Sequence, residues 1–310
     1  MPAIVRMLIA VTLLVALVLG VDWSTVPASL ARLDLRFASL VVVGLAAQFP
    51  IAAWKWSWAL RLHDVFFSTG FLLKVACIGF FFNNFLPSAI GGDTYRVYRT
   101  TPRGGPPSKA VSAVLVDRLV GFSSLVAIGI GAAFWLADDY AFAALFLLFT
   151  LTLGTAAVIA LLAVYFGYLK FLTKRLRRFK AFVVVEEVIA PVMKPRAEWL
   201  PLIGISVFSQ AIAAGVICGL FWGIGVEVSP LICAIITAGA GLASLLPISI
   251  NGIGVIEGSI AAVSVAFGIS YDDAVLVAIL NRLLVVPMSA LCGLVYLAER
   301  RPDSPSPAKS

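Results

Sequence analysis

The sequence predicts an all-α polytopic membrane protein with about six full spans plus two re-entrant broken-helix hairpins in an inverted repeat. Three observations carry this. Hydrophobic residues make up 61% of the chain and charged residues 13%, and the mean hydropathy is +1.04. Soluble chains carry about 25% charge, and a water-soluble core could not use so much apolar sequence without large exposed patches. Six apolar stretches approach or exceed the roughly 20 residues that cross a bilayer core. Two further apolar stretches are interrupted by Pro and Gly and carry related motifs.

The first span covers roughly 4–21. Arg6 precedes its apolar run, and Val18-Leu19-Gly20 would pass as a signal cleavage site, but the segment is read as an uncleaved span. The second covers 37–60. Trp54, Trp56 and Trp58 flank Lys55 near its inner end, the usual pattern of interfacial anchors around a snorkelling cation, and no chemistry is assigned to them. The broken segment 70–91 follows, then a loop at 92–110 with Arg96, Arg99, Arg103 and Lys109 against Asp93 alone. Spans three and four are 111–136 and 141–166. The segment 167–199 holds Lys170, Lys174, Arg175, Arg177, Arg178, Lys180, Lys194 and Arg196 against three Glu. Its alternation of cations with aromatic and aliphatic residues fits an interfacial helix on anionic inner-leaflet lipid, or a solvated linker. Spans five and six, 200–224 and 272–298, flank the second broken segment at 230–268. One membrane domain thus fills 1–298, with repeat one at 1–136 and repeat two at 141–298. The Pro- and Ser-rich tail 299–310 is expected to be disordered.

Charge fixes the expected topology. Of the 39 acidic and basic side chains, 23 are Lys or Arg and 16 are Asp or Glu, a net +7. Lys and Arg accumulate in cytoplasmic loops, so 92–110, 167–199 and the C-terminus are placed inside. Asp138-Asp139 and Glu227 lie in short loops without cations and fit the outer side. Both termini are then cytoplasmic. Segment 70–91 must leave and return on the inner side, and 230–268 on the outer side. Non-helical backbone at that depth is tolerated only where protein buries it or it lines a wet cavity. Cys77, Cys218, Cys233 and Cys292 all sit in apolar stretches without CxxC spacing. They read as buried inert thiols rather than a disulfide framework or a metal site.

The broken segments share a motif. The first reads Asn83-Asn84-Phe85-Leu86-Pro87-Ser88-Ala89-Ile90-Gly91-Gly92-Asp93. The second reads Leu246-Pro247-Ile248-Ser249-Ile250-Asn251-Gly252-Ile253-Gly254-Val255-Ile256-Glu257. Each has Leu-Pro, a serine, an isoleucine, two close glycines and then a carboxylate. Proline removes a helix donor and glycine permits backbone that other residues resist, so each is a helix break with free polar groups. Asp117-Arg118 follows the first and Asn281-Arg282 the second, at similar distances from Pro87 and Pro247. Broken helices in matching positions of two inverted halves mark the expected substrate site.

Substrate contacts are assigned to Asn83, Asn84, Ser88, Asp93, Arg96, Asp117, Arg118, Asn251, Glu257, Asn281 and Arg282. Pro87, Gly91, Gly92, Pro247, Gly252 and Gly254 make the breaks. An arginine in hydrocarbon costs at least about 2.5 kcal/mol on insertion scales, so it faces a cavity or a partner. Arg118 and Arg282 suit a phosphate, and Asp93 and Glu257 are expected to pair with them when the site is empty. Competing readings are that Arg118 snorkels and that Asn83 and Asn84 only cap the broken helix.

The runs FFNNFLPSAIGGDTYR and LPISINGIGVIEG resemble the flippase-like membrane domain found as the transmembrane region of lysylphosphatidylglycerol synthase/flippase proteins. The resemblance extends to about residue 298. It implies a lipid translocase with re-entrant helices around a cavity between repeats, in the cytoplasmic membrane. Bifunctional members add a soluble aminoacyl-transferase domain, for which the 310 residues leave no room, so lipid flipping rather than lipid synthesis is expected. The expected partners are a membrane lipid with a charged headgroup and a second copy or a partner enzyme; nucleic acid is not among them. No cofactor or metal is called for. GxSxG, HExxH, DxD and GxxxxGK[ST] patterns are absent, and His63 is the only histidine. A lipid-modifying or lipid-linked glycosyl-transferring enzyme using Asp93, Asp117 and Glu257 remains an alternative, as does a non-transporting lipid-binding accessory subunit.

Overall fold

The structure, a computed structural model, describes residues 3–24, 26–31, 33–85, 91–101, 107–152, 196–246 and 248–298. All regular elements in them are helical: α1 (Ala3–Leu19), α2 (Val26–Ala31), α3 (Leu35–Arg61), α4 (Thr69–Phe85), α5 (Gly91–Thr100), α6 (Ser108–Leu136), α7 (Ala141–Thr152), α8 (Trp199–Gly223), α9 (Pro230–Ser244), α10 (Val255–Ala266) and α11 (Tyr271–Ala298). The chain is an all-α polytopic membrane protein. Among the described residues α3, α6, α8 and α11 are long and apolar enough to cross a bilayer, and they coincide with the spans expected at 37–60, 111–136, 200–224 and 272–298. The span expected at 4–21 is a 17-residue helix, and that at 141–166 is described only to residue 152. The basic segment lies outside the described residues up to 195, as does the tail 299–310.

Local chemistry sets the helix starts. Asp34 caps α3 by accepting the Arg36 N–H at 2.8 Å, and Ser229 caps α9 by accepting that of Leu231, with Pro230 in the first turn. The centre of the molecule is an antiparallel crossing of α3 and α8. A Cβ on Gly219 would stand 2.8 Å from Val41, and one on Gly44 3.0 Å from Val216. In the same crossing Gln48 and Ser209 exchange two hydrogen bonds, of 2.9 and 2.8 Å. The remaining packing is reciprocal: α4 lies on α11 while α9 lies on α6, and α4 pairs with α5 as α9 pairs with α10. The large apolar core joins α3, α6, α8, α9 and α10. A smaller one around Trp56 and Leu60 joins α3, α4, α6 and α8.

Two expectations need correction. Residues 91–100, read as the start of a basic loop, form helix α5, folded back on α4. Arg96 and Arg99 are turned into the protein rather than out of a loop. Their aromatic surroundings give the reason: Arg96 lies over Trp56, and Arg99 lies over the rings of Phe71 and Tyr95. The cysteines also differ. Cys218 on α8 and Cys233 on α9 are joined in a disulfide, Cα atoms 5.7 Å apart. The short turn after α8 sets the two helices side by side, a proximity that spacing in sequence did not reveal. Cys77 and Cys292 remain thiols, in contact across α4 and α11.

Candidate functional site

A cavity of about 580 Å³ lies among α3, α4, α6, α8, α9 and α11. Most of its wall is apolar, from residues such as Leu45, Phe80, Leu125 and Ile217. Charge is concentrated where α3, α5 and α6 meet. There Lys55, Arg96, Asp117 and Arg118 face the cavity, and Asp93 stands behind Arg118.

The pairing is dense. Arg118 makes a two-pronged contact with Asp93, Nε to Oδ2 at 3.0 Å and Nη2 to Oδ1 at 3.1 Å. Asp117 is 4% exposed. It receives Lys55 Nζ at 3.0 Å on one oxygen and Arg96 Nη1 at 3.2 Å on the other. Arg96 also reaches to within 3.9 Å of Asp93 and stacks over Trp56, 4.8 Å from the ring centre. A buried carboxylate is retained only with such partners, since an isolated charge would lose its hydration without return. Five side chains thus form one network with three positive and two negative charges.

The backbone around the breaks accounts for the glycines. Asn83 Oδ1 accepts the Gly92 N–H at 2.9 Å and so closes the start of α5. A Cβ on Gly92 would lie 2.1 Å from the Gly79 carbonyl and 2.6 Å from Asn83, so α4 and α5 can touch only with glycine there. Gly91 is the first residue of α5. At the second break Asn251 and Gly252 take left-handed backbone, at φ 51° and 68°, which asparagine tolerates and glycine adopts freely. Gly254 is left-handed too, and a Cβ there would meet the Ala10 carbonyl at 2.9 Å, where α1 crosses. Glu257 is 2% exposed; one oxygen accepts the Gly254 N–H at 2.7 Å and the other binds Arg282 Nε. The two breaks touch: Asn251 donates to Asn84 Oδ1 at 2.9 Å, and Asn84 donates to the Phe80 carbonyl at 3.0 Å.

The expected pairing of the arginines with Asp93 and Glu257 is therefore present. Both arginines were expected among the substrate contacts; Arg118 lines this cavity and Arg282 does not. Among the described residues α11 lines the cavity with Asn281, Val285 and Met288, one helical face. Arg282 is one residue off that face and turns to Glu257 beside the wall. Pro87, Ser88 and Pro247 lie outside the described residues. Sequence reasoning missed Lys55, which does not snorkel: its side chain is 15% exposed and bound to Asp117. It also missed Gln48, Ser209 and Gln210, which line the cavity from α3 and α8. The available signal was a lone lysine within an otherwise apolar stretch of a 27-residue helix. Among the described residues no group of His, Cys, Asp and Glu could hold a metal ion.

Comparison with known proteins adds one finding. The family described as the lysylphosphatidylglycerol synthase TM region matches residues 3–293. No curated protein matches the chain.

Proposed function

Because the chain belongs to the family of the lysylphosphatidylglycerol synthase transmembrane region, we propose that it translocates a polar or charged lipid across the cytoplasmic membrane. The headgroup passes through the cavity and the acyl chains stay in lipid. The observation that carries this is the cavity itself: an apolar chamber with five networked charges at one end. Such a chamber suits an amphiphile, because its charges can exchange protein partners for a headgroup without ever facing hydrocarbon.

An inverted repeat around that cavity is supported by position. A shift of 164 residues carries Leu35 to Trp199, Gly91 to Val255 and Ser108 to within one residue of Tyr271, the starts of three helix pairs. The same shift carries Asp93 onto Glu257 and Arg118 onto Arg282, and each carboxylate–arginine bond spans 25 residues. In this reading α4–α5 and α9–α10 are two re-entrant hairpins, approaching from the inner and outer sides. Their contact at Asn84 and Asn251 closes the path in the state described. The basic segment 167–199 rests on anionic inner-leaflet lipid, both termini are cytoplasmic, and the protein partners are a second copy of the chain or an enzyme that makes the lipid.

The test is reconstitution of the purified full chain in liposomes carrying fluorescent lipids with cationic, anionic and zwitterionic headgroups. Bleaching of the outer leaflet by dithionite reads transbilayer movement. Movement of at least one headgroup class above protein-free vesicles is expected. Static lipid in every class would remove translocation, and chemical conversion of the labelled lipid would make the protein an enzyme instead.

A further inference from the structure

We propose that Lys55, Arg96 and Arg118 form an oxyanion subsite, belonging to repeat one only, that receives the phosphate of the translocated lipid and makes the two halves of the cavity chemically unlike. This rests on the reading of the cavity as a lipid path.

The two halves share one device and differ in another. Both have a carboxylate on the return helix bonded to an arginine on the following span. Only the first half adds the triad Lys55–Asp117–Arg96. At the positions 164 residues further on stand Gly219, Asn281 and Ile260. All three charges are absent together, as expected of groups that serve only as a unit. A buried lysine without Asp117, or a buried Asp117 without its cations, would be a heavy cost.

The triad is more than self-neutralising. With Asp93 and Arg118 it makes three cations to two carboxylates. Lys55 and Arg96 are mostly buried, at 15% and 12% side-chain exposure, while Arg118, 43% exposed, stands at the open edge of the same cavity. Lys55, Arg96 and Arg118 all contribute to the wall, with Asn83 and Gln210 close by as neutral donors. Arginine forks match phosphate oxygens in pairs, and lysine adds a compact point charge. The arrangement also provides a way to release Arg118. Arg96 already lies 3.9 Å from Asp93, so a phosphate that takes the Arg118 fork leaves Asp93 a cation within reach. Gly121 keeps the subsite open: a Cβ there would come 3.3 Å from Lys55 Nζ. In the second half Arg282 and Glu257 cancel, and the cavity wall presents Asn281.

The experiment changes the charge count one step at a time. Short-chain phosphatidylglycerol is titrated onto the purified full chain in neutral detergent, read by microscale thermophoresis, with inorganic phosphate and a neutral alkyl glucoside as parallel ligands. Lys55→Gln brings the network to zero, Asp117→Asn to two positive charges, and the double variant back to one. Binding should weaken about tenfold in Lys55→Gln, tighten in Asp117→Asn, and return to within about threefold of wild type in the double variant, since a charge-assisted hydrogen bond is worth roughly a decade or more. The neutral glucoside should be indifferent to all three. A merely structural triad predicts a different pattern: both single variants lose binding and thermal stability together. That pattern, or equal phosphatidylglycerol affinity across the series, overturns the subsite even if wild type moves lipid. A stepped series supports it even if no lipid moves in liposomes, which would count against translocation alone. Equal affinity for inorganic phosphate and for the lipid, stepped across the series, supports the subsite with a free oxyanion as occupant.

Discussion

Replacing Glu257 by Gln removes one charge and almost nothing else. The amide keeps the volume, and its oxygen can still accept the Gly254 N–H that closes the start of α10. What it cannot do is balance Arg282, whose Nε it binds and whose Nη2 is buried without a protein partner. Breaking a buried ion pair from one side costs about 3–5 kcal/mol, because the other charge stays behind. The Arg282 side chain is 20% exposed, which points to the lower end, about 3 kcal/mol. Set against an unfolding entropy of about 2 cal/mol/K per residue, that is a fall in Tm on the order of 5 °C. Adding Arg282→Met should recover most of the loss, since replacing both partners by neutral groups of similar volume is far milder than orphaning one. The assay is thermal unfolding of the four proteins in one detergent, followed by intrinsic tryptophan fluorescence and by the monodisperse fraction after heating. If the double variant shows the sum of two single losses, Glu257 and Arg282 are not coupled and the pair does not hold this site together.

Gly92→Ala should cost about 1–3 kcal/mol by overpacking α4 against α5, because its Cβ would fall 2.1 Å from the Gly79 carbonyl; a wild-type melting curve would show that the helices do not meet there. Arg118→Lys should keep only part of the lipid movement and Arg118→Ala almost none, because lysine loses the two-pronged geometry made with Asp93; equal activity of Lys and Arg would point to a simple snorkelling charge. Cys218→Ser should lower stability by about 3 kcal/mol in the chain-entropy picture, the bonded residues being 15 apart, and maleimide labelling of the denatured wild-type protein without reductant should find only Cys77 and Cys292. Acid should loosen the joint after α3. Burial, with help from Lys109 and Arg196, holds His63 below its ordinary value, and the Arg196 guanidinium holds the Asp64 carboxyl down. Both groups bind protons more readily when unfolded, so stability falls as pH drops from about 6.5 through the folded value of His63, and again from about 3.8 through that of Asp64; a His63→Gln variant should lose the upper of the two steps.

The spans were legible because the bilayer imposes a length. A run such as 111–136 has only one use at that hydropathy, and α6 follows it closely. The breaks were legible because Pro and close glycines interrupt a helix wherever they fall together in an apolar run. The glycines do stand where a side chain would collide or the backbone turns left-handed. Helix α5 was not legible. Its ten residues carry Asp93, Arg96 and Arg99, and by composition they read as loop. What makes them a buried helix is tertiary: Asn83 closes its start, Gly79 admits its backbone, and Asp117, Trp56 and Phe71 receive its cations. None of these partners is a neighbour in sequence, and the rule that sorts cations to the cytoplasm counts charge without asking whether it has a mate.

Lys55 shows the same limit from the other side. Three tryptophans around a lysine near a helix end are the ordinary mark of an interface, and interface anchors point outward. Here the middle tryptophan is fully buried, Trp54 is half exposed, and Lys55 turns inward to Asp117. Residues 54 and 56 differ by about 200° around a helix, so the trio could never have shared one environment. Lys55 lies between them and falls on the face that α6 covers, as its contact with Gly121 requires. Helical phase therefore contained the correction that composition hid. Once Lys55 is inside, Asp117 has a partner of its own and is no longer a mere snorkelling neighbour of Arg118. The same placement turns a pair of intramembrane charges into a network with a surplus cation.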